Sequence, residues 1–461
     1  MRISIVGTGY VGLVTGVCLA HKGHRVTCVD VDRSKVDRIN AGEPPFVEPG
    51  LPALLRRQVG RRFRATTDLA AAVAESDVTF IAVGTPFRGR RIDLRFVKRA
   101  SAEVGRALRR KTTYHLVVVK STVVPGTTDG VVRAALERAS GARAGEAFGL
   151  GMNPEFLSEG EAVGDFMAPD RLVLGGIDAR SVDVLAEVYR GFRGVPVIRT
   201  NTRTAEMIKY ASNAVLASLI SFSNEIGNLC AALGDVDAEE VMRGVHSSQY
   251  LSPRVGRGAR VTAPIAAFLR AGCGFGGSCL PKDVKALVAR GREAGRPMSL
   301  LRSVLAVNEA QPQQMLDLLQ PHLAPLKGRR VAVLGLAFKP GTDDLRESPA
   351  IPLVRMLTAA GANVRAYDPV AMPAARRSGL FPGIGYGATL GSVMSWAEAA
   401  LIVTAWPEFR ALPALPAVRR GKVVVIDGRR ILDPEACPRY AGIGRGAART
   451  TPRSGEVHRA R

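Results

Sequence analysis

A chain of 461 residues exceeds what a single hydrophobic core supports, roughly 250–300 residues, so two or three domains are expected, and 46% hydrophobic residues suffice to fill them. Six scattered cysteines without C-x-x-C spacing and six dispersed histidines argue against a disulfide framework or a zinc module, and no uninterrupted apolar run reaches the ~18 residues of a membrane span. The net charge of +23 invites a nucleic-acid reading, but the arginines are spread along the chain, as in Arg56, Arg57, Arg61, Arg62 and Arg64 and again in Arg88, Arg90 and Arg91. They are not interleaved with aromatics, which make up 5%, so an arginine-rich composition and an anionic small substrate account for the charge as well. With no charged leader before M-R-I-S-I-V-G, the expectation is a cytoplasmic protein with neither a membrane nor a nucleic-acid partner.

Residues 1–34 read as strand, glycine turn, helix and second strand. The turn is Gly7-Thr8-Gly9-Tyr10-Val11-Gly12, the helix runs through Ala20, and R-V-T-C-V-D closes the unit at Asp30. This is a dinucleotide-binding pattern. Gly7 allows the tight turn, Gly9 lets the backbone approach a pyrophosphate, and Gly12 lets helix pack on strand. Asp30 stands where a carboxylate accepts hydrogen bonds from a ribose and repels a 2′-phosphate, which favours NAD over NADP.

Near-continuous apolar runs at Val78–Gly84 and Leu116–Lys120 read as buried parallel strands. Their carboxyl ends open into Thr85-Pro86 and Ser121-Thr122, where open α/β sheets place ligands. G-M-N-P-E-F-L-S-E-G-E from Gly151 brings Glu155 and Glu159 close together in a loop, as paired acids or as a solvated acidic turn. From Arg203 to Leu233 one long helical pattern follows, with Lys209 and Asn213 at i, i+4 on one face among small and apolar residues. A lysine and an amide so placed suit a water or an oxyanion in a dry site; a lysine snorkelling at the helix edge is the alternative.

Gly272 to Asp283 reads G-C-G-F-G-G-S-C-L-P-K-D. The glycines accept unusual backbone angles and leave room for a substrate beside the Cys279 thiol, and Lys282 favours the reactive thiolate. A buried packing cysteine is the competing reading, against which the polar Ser278 and the following Pro-Lys-Asp count. A proline-flanked boundary near Gln311–Arg329 precedes a second α/β unit, R-V-A-V-L-G-L-A-F-K-P-G-T-D-D-L-R-E-S-P, whose fingerprint is degraded because Leu336 and Ala337 follow Gly335. Lys339 and Arg346 are its candidate anion contacts. Beyond about Tyr440 the tail lacks apolar periodicity and is expected to be disordered.

The glycine fingerprint, K-S-T-V at 120, N-P-E-F-L-S-E-G at 153, the Lys209/Asn213 helix, G-F-G-G-S-C-L-P-K-D at 274 and A-F-K-P-G-T-D-D-L-R-E-S at 337 together resemble the nucleotide-sugar 6-dehydrogenases of the UDP-glucose/GDP-mannose dehydrogenase family, over residues 1 to about 440. The resemblance implies an α/β protein with two Rossmann-like, doubly wound parallel-sheet domains joined by a long central helix within an all-helical domain. The expected division is residues 1–200 (NAD binding), 201–310 (central, with the cysteine loop), 311–440 (UDP-sugar binding) and a basic tail, 441–461. It also implies a homodimer through the long helix and oxidation of UDP-glucose to UDP-glucuronate, a glycan precursor, with two NAD per turnover and no metal.

In that scheme Cys279 forms a thiohemiacetal and then a thioester, Lys209 and Asn213 stabilise the oxyanion, Glu155 acts through a water near Thr122 in hydrolysis, and Asp283 supports Cys279. The NAD set implied is Gly7, Gly9, Val11, Gly12, Asp30, Lys35, Thr85, Thr122, Glu159, Lys282 and Arg346. The substrate set is Glu155, Phe156, Leu157, Ser158, Glu159, Lys209, Asn213, Phe268, Leu269, Arg270, Ala271, Gly272 and Gly276, with Lys339 at the phosphates. The segment between the long helix and the cysteine loop is longer than is usual for the family, which leaves Arg254, Arg257 and Arg260 as alternatives for a substrate-contacting arginine. D-F-M-A-P-D-R-L-V-L-G at 165 is more similar to UDP-glucose members than to GDP-mannose members. A single-oxidation hydroxyacid dehydrogenase would need neither Cys279 nor a second α/β half, and a non-enzymatic NAD- or nucleic-acid-binding protein would not need Lys209, Asn213, Cys279 and Asp283.

Overall fold

The structure, a computed structural model, describes residues 1–256 and 258–446. Arg257, one of the three candidate arginines, and residues 447–461, most of the basic tail, lie outside the described residues. The chain packs as two compact units. The first comprises Met1–Ala214, Lys282–Met298 and Gly341–Asp343; the second comprises Val215–Pro281, Ser299–Pro340 and the chain from Asp344 onward. The segment read as a central domain, 201–310, is thus divided between them, the division falling inside the long helix.

The first unit is built on eight strands: β1 (Arg2–Val6), β2 (Arg25–Val29), β3 (Phe63–Thr66), β4 (Val78–Ile81), β5 (Leu116–Val119), β6 (Gly149–Met152), β7 (Leu172–Gly176) and β8 (Val197–Asn201). Their order across the sheet is β8-β7-β6-β5-β4-β1-β2-β3. Strands β1 to β6 are parallel, β7 runs antiparallel to β6, and β8 is parallel to β7. The order reverses between β1 and β4, so their carboxyl ends diverge and leave a crevice. Strands β4 and β5 are buried along their whole length, which is why they read as near-continuous apolar runs.

Helix α1 (Tyr10–His21) lies on this sheet with nine consecutive residues buried, Gly12 to Ala20. Its glycines are contact points. A Cβ on Gly12 would stand 2.0 Å from the Gly7 carbonyl oxygen, and Gly7 itself has φ +106° with Ala82 O 2.5 Å from where its Cβ would be. No side chain can be added at either position without moving backbone.

Helix α2 (Thr202–Leu233) is, by length and composition, the one helix among the described residues long and apolar enough to cross a membrane. Its polar residues have internal tasks instead. In the first unit Glu206 is fully buried and accepts bonds from Gly126 N (2.6 Å) and Thr128 N (2.8 Å), at the start of the single π-helical turn Thr127–Val132. Burial outweighs these bonds and pushes the Glu206 carboxyl up to about 7.

In the second unit six parallel strands form a sheet: β9 (Arg330–Leu334), β10 (Asn363–Tyr367), β11 (Gly385–Tyr386), β12 (Ala399–Ile402), β13 (Val424–Asp427) and β14 (Tyr440–Gly442), in the order β11-β10-β9-β12-β13-β14. One expectation is corrected here. Chain beyond Tyr440 is ordered through 446: β14 pairs with β13, Ile443 is buried, and Arg430 donates to the Ile443 carbonyl and pairs with Asp237 at 2.7 Å. Three buried or paired residues suffice to anchor so short a strand on an existing edge, and that leaves no periodicity to read. The proline-flanked stretch near Gln311–Arg329 carries the second half of helix α4 (Ser299–Leu323), which follows α3 (Leu280–Glu293) and contains Pro312 and Pro321, before β9 opens the second sheet at Arg330. Pro312 withholds a hydrogen bond from the Asn308 carbonyl, but Met315, Leu316 and Leu319 bury the next turns in the core, which keeps the helix intact.

Two outcomes test this packing. Gly12→Ala should lower the melting temperature and abolish NAD binding measured by calorimetry, because the methyl cannot enter without displacing the Gly7 turn. Glu206 carries a carboxyl whose folded-state value exceeds its unfolded one, so its contribution is full below about pH 4.5 and lost as pH rises through about 7, worth up to about 3 kcal/mol. Glu206→Gln should therefore flatten the pH dependence of the melting temperature between pH 5 and 8.

Candidate active site

In the first unit the crevice beside the β1 turn is a cavity of about 380 Å3, lined among others by Gly7, Gly9, Asp30, Lys35, Gly84 and Phe96. A Cβ built on Gly9 or Gly84 meets nothing within 4 Å, so backbone faces open space at both, the room a pyrophosphate needs at the start of α1. Asp30 accepts from Thr8 N (2.9 Å), Thr8 Oγ1 (2.6 Å) and Asp32 N (3.1 Å). Burial opposes its ionisation, yet these bonds, with Lys35 nearby, hold the Asp30 carboxyl below the usual carboxylate range. The residues present therefore fit a dinucleotide with free ribose hydroxyls. Val11 is half-buried in the first turn of α1, and Thr85, just after Gly84, donates from Oγ1 to the Thr122 carbonyl at 2.8 Å, which joins the two strand-end loops.

A charged cluster lies in the same unit. Lys209 on α2 reaches Glu155 Oε1 at 3.1 Å, with side chains only 4% and 6% exposed. Leu157 N donates to the other Glu155 oxygen at 2.7 Å. Burial pushes the Glu155 carboxyl up, but Lys209, the Leu157 N–H and Lys120 outweigh it, and the group is held below its usual range. One turn along α2, Asn213 Nδ2 donates to Asp283 Oδ2 at 2.6 Å, and Lys282 Nζ meets Asp283 Oδ1 at 2.5 Å. Asp283, in the first turn of α3, is 1% exposed, so Lys282 is engaged with a buried carboxylate rather than extended to solvent. Phe156 is stacked under the Arg171 guanidinium at 3.8 Å and lies 5.5 Å from Lys209 Nζ. Ser158 N donates to Asp165 Oδ2 at 2.8 Å, and Glu159 is buried.

Three residues that the sequence reading did not single out organise this unit. Lys120 is buried at the end of β5, and its position directly after four apolar residues was the available signal. Tyr10 donates its hydroxyl to Glu48, whose carboxylate accepts from Gly160 N (2.7 Å) and Ala162 N (2.8 Å). Nothing in P-P-F-V-E-P-G marks Glu48 as the anchor of a loop more than a hundred residues away.

In the second unit Cys279 is half-buried immediately before α3, and Ser278 Oγ lies 3.5 Å from its sulfur. Three amide side chains hold the preceding loop. Asn224 Oδ1 accepts from Gly272 N (2.7 Å), Gln311 Nε2 donates to the Gly272 carbonyl (2.7 Å), and Asn308 brackets Phe275 from both sides. Two of the glycines also serve this packing. A Cβ on Gly276 would stand 2.3 Å from the Glu347 carbonyl oxygen, and one on Gly277 (φ +84°) 2.7 Å from the Phe338 ring. Leu269, Ala271 and Gly272 are buried and Phe268 half-buried, whereas Arg270 is exposed and paired with Glu239 at 3.2 Å. Arg346 is exposed and forks onto Asp344 at 2.7 Å; Lys339 Nζ lies 6.0 Å from the Phe338 ring. Arg254 and Arg260 sit on an exposed two-stranded ribbon, Arg260 donating to the Ser247 carbonyl. Among the described residues no group of three or more His, Cys, Asp or Glu is placed to hold a metal ion.

Models of the UDP-glucose/GDP-mannose dehydrogenase family match the chain in three successive pieces: its NAD binding domain over residues 1–193, its central domain over 203–310 and its UDP binding domain over 332–434. The chain belongs to this family. It is 46% identical to UDP-glucose 6-dehydrogenase AglM of Haloferax volcanii over 94% of this chain and 97% of that one. It is 45% identical to GDP-mannose 6-dehydrogenase of Pseudomonas aeruginosa over 80% and 81%. Among solved structures, a UDP-glucose dehydrogenase from Pyrobaculum islandicum aligns with TM-score 0.87 at 42% identity, covering 96% of this chain and 97% of that one.

The Asp30 geometry carries a measurable consequence. Asp30→Asn should weaken NAD binding about tenfold, the value of one charged hydrogen bond of about 1.5 kcal/mol, and should narrow the preference for NAD over NADP. Titration calorimetry with each dinucleotide reads both effects.

Proposed function

We propose that the protein is an NAD-dependent UDP-glucose 6-dehydrogenase that oxidises the primary alcohol of the sugar twice, to UDP-glucuronate. The observation that carries this reading is the pair of contacts on one helix, Lys209 to Glu155 and Asn213 to Asp283, in a unit that also holds an Asp30-bearing dinucleotide crevice. A dry lysine and amide one turn apart are suited to stabilising an alkoxide or oxyanion, where a single donor is worth roughly 3 kcal/mol. NAD held in the crevice supplies the hydride acceptor.

Cys279 is the nucleophile in this reading. An aldehyde has no hydride to give until a nucleophile adds; the thiolate adds to form a thiohemiacetal, whose oxidation leaves a thioester. Glu155, ionised and backed by Lys209, then draws a proton from the water that releases the acid, and Thr122 is assigned to that water. Asp283 orients Asn213 and stands four residues after Cys279. Lys339, Phe268 to Gly272, Gly276 and one of Arg254, Arg257 and Arg260 are assigned to the UDP-sugar, and Val11, Thr85, Glu159, Lys282 and Arg346 to the dinucleotide.

The strong GDP-mannose 6-dehydrogenase relative supports a second substrate reading, but it covers less of the chain than the UDP-glucose relative does. The protein is further proposed to act in the cytoplasm as a homodimer. In support of the dimer, Val215, Phe222 and Leu229 repeat every seven residues along α2, each about half exposed.

The test is NADH formed per UDP-glucose with the sugar limiting. Two NADH per sugar, and loss of steady turnover in Cys279→Ser, are expected. One NADH per sugar, or an unaffected variant, would overturn the double oxidation, and turnover with GDP-mannose alone would overturn the substrate.

A further inference from the structure

Lys120 takes no part in the chemistry proposed above, yet it is as deeply enclosed as Lys209, at 4% exposure. It is carried there by β5, whose four residues are all buried, so the next side chain has no route to solvent along the strand. Its Nζ donates to Asn153 Oδ1 at 2.7 Å and reaches the Pro154 carbonyl at 3.5 Å. The same Asn153 oxygen accepts from the Tyr189 hydroxyl at 2.5 Å, and the Tyr189 ring lies 6.0 Å from Nζ. Asn153 is fixed in turn by donating Nδ2 to the Val173 carbonyl at 2.9 Å. Every one of these partners is neutral. A buried ammonium held by neutral acceptors alone is costly, and structures retain such groups chiefly where they have work to do.

The charge that answers it is Glu155. Burial drives the Lys120 amine down to about 7; Glu155 acts against that and Lys209 adds to it. Lys120 reaches the carbonyl of Pro154, the residue before Glu155, and lines the same cavity as Glu155, while Lys209 meets that carboxylate directly; Lys120 in turn helps keep Glu155 ionised. The other charged groups at this place are otherwise engaged. Lys120 and Glu155 border a cavity of about 220 Å3 together with Asp165, Asp170 and Arg171. Asp170 pairs with Arg171 at 2.5 Å, Arg171 lies over Phe156, and Asp165 accepts from Ser158 N. Glu159, farther along the loop, acts on Tyr10.

We propose that Lys120 is a positioning residue, a second buried cation whose field holds the Glu155 carboxylate charged and in place for the step in which water is activated. The inference rests on the role given to Glu155 above. It assigns a function to the lysine of K-S-T-V that is separate from Lys209, since Lys120 is held by Asn153 beside Tyr189, whereas Lys209 meets Glu155 directly.

Two measurements test it, one with catalysis and one without. With UDP-glucose, Lys120→Met should move the acid limb of the kcat profile to higher pH by about 1–3 units, the usual effect of taking a neighbouring cation from a carboxylate, while Lys120→Arg keeps the wild-type limb. A lower kcat with an unmoved limb in Lys120→Met would mark a merely structural lysine and overturn the proposal. Without substrate, the lysine 13Cε resonances of the wild-type protein should include one that titrates near neutral pH and shifts to lower pH in Glu155→Gln. If none titrates below about pH 9, or if Glu155→Gln leaves it in place, Lys120 and Glu155 are not coupled and the proposal fails. The NMR result stands whichever sugar is the substrate, so failure of the functional reading is told apart from failure of this one.

Discussion

Lys209 meets Glu155 across 3.1 Å with both side chains shielded from water, and the first unit is arranged around the cost of doing so. Removing two charges from water costs several kcal/mol each, and their attraction offsets this only when the geometry is good and the remaining polar atoms are satisfied. Both conditions are met by parts far apart in sequence. Helix α2 supplies the lysine, the loop after β6 the carboxylate, and Leu157 N the second hydrogen bond. With side chains only 4% and 6% exposed, the field of each charge is stronger there than it would be at the surface. The Asn213–Asp283 contact one turn on repeats the device with α3 as the second partner.

The two sheets begin alike and are put to different use because of what their second-strand carboxylates touch. Asp30 is half-buried and takes three donors, which leaves acceptor capacity toward the crevice. Asp368 holds the matching place after β10 but is 1% exposed and saturated, accepting from Leu336 N, Ala337 N, Val370 N, Ala371 N and Trp406 Nε1. The turn it braces is closed as well: a Cβ on Gly335 would lie 2.4 Å from Thr404 Cβ, whereas Gly9 faces open space. Backbone N–H groups that could cradle a pyrophosphate are thus spent internally in the second sheet.

Rigidity at the cysteine loop has a related origin. Asn224 and Gln311 present buried amides, and Asn308 a half-buried one, to the backbone of residues 272–275, and Asn308 stands four residues before Pro312, where α4 gives up one of its own hydrogen bonds. Side-chain amides satisfy a loop that has no sheet or helix partner, and the glycines let it lie against Glu347 and Phe338. The loop that precedes the proposed nucleophile is therefore held by polar groups on two helices as well as by the close contacts its glycines permit.

What the sequence determined by itself is what depends on neighbours within about ten residues. Near-continuous apolar runs marked β4 and β5 because both faces of those strands are covered; the spacing of Gly7, Gly9 and Gly12 marked a turn that tolerates no Cβ at Gly7 or Gly12 and stays open at Gly9; and the i, i+4 interval put Lys209 and Asn213 on one face of α2 whatever surrounds the helix. Tertiary structure alone decided the rest. Glu48 anchors Gly160 over a separation of 112 residues, Lys120 finds Asn153 over 33, and residues 441 and 442 become a strand only because β13 offers an unpaired edge. Helix α4 continues through Pro312 because packing of Met315, Leu316 and Leu319 outweighs one lost hydrogen bond, a balance that local propensity does not contain. Backbone geometry is a local property and is written in the pattern; the partner of a buried charge is set by the folded chain, since only there is water gone and a partner required.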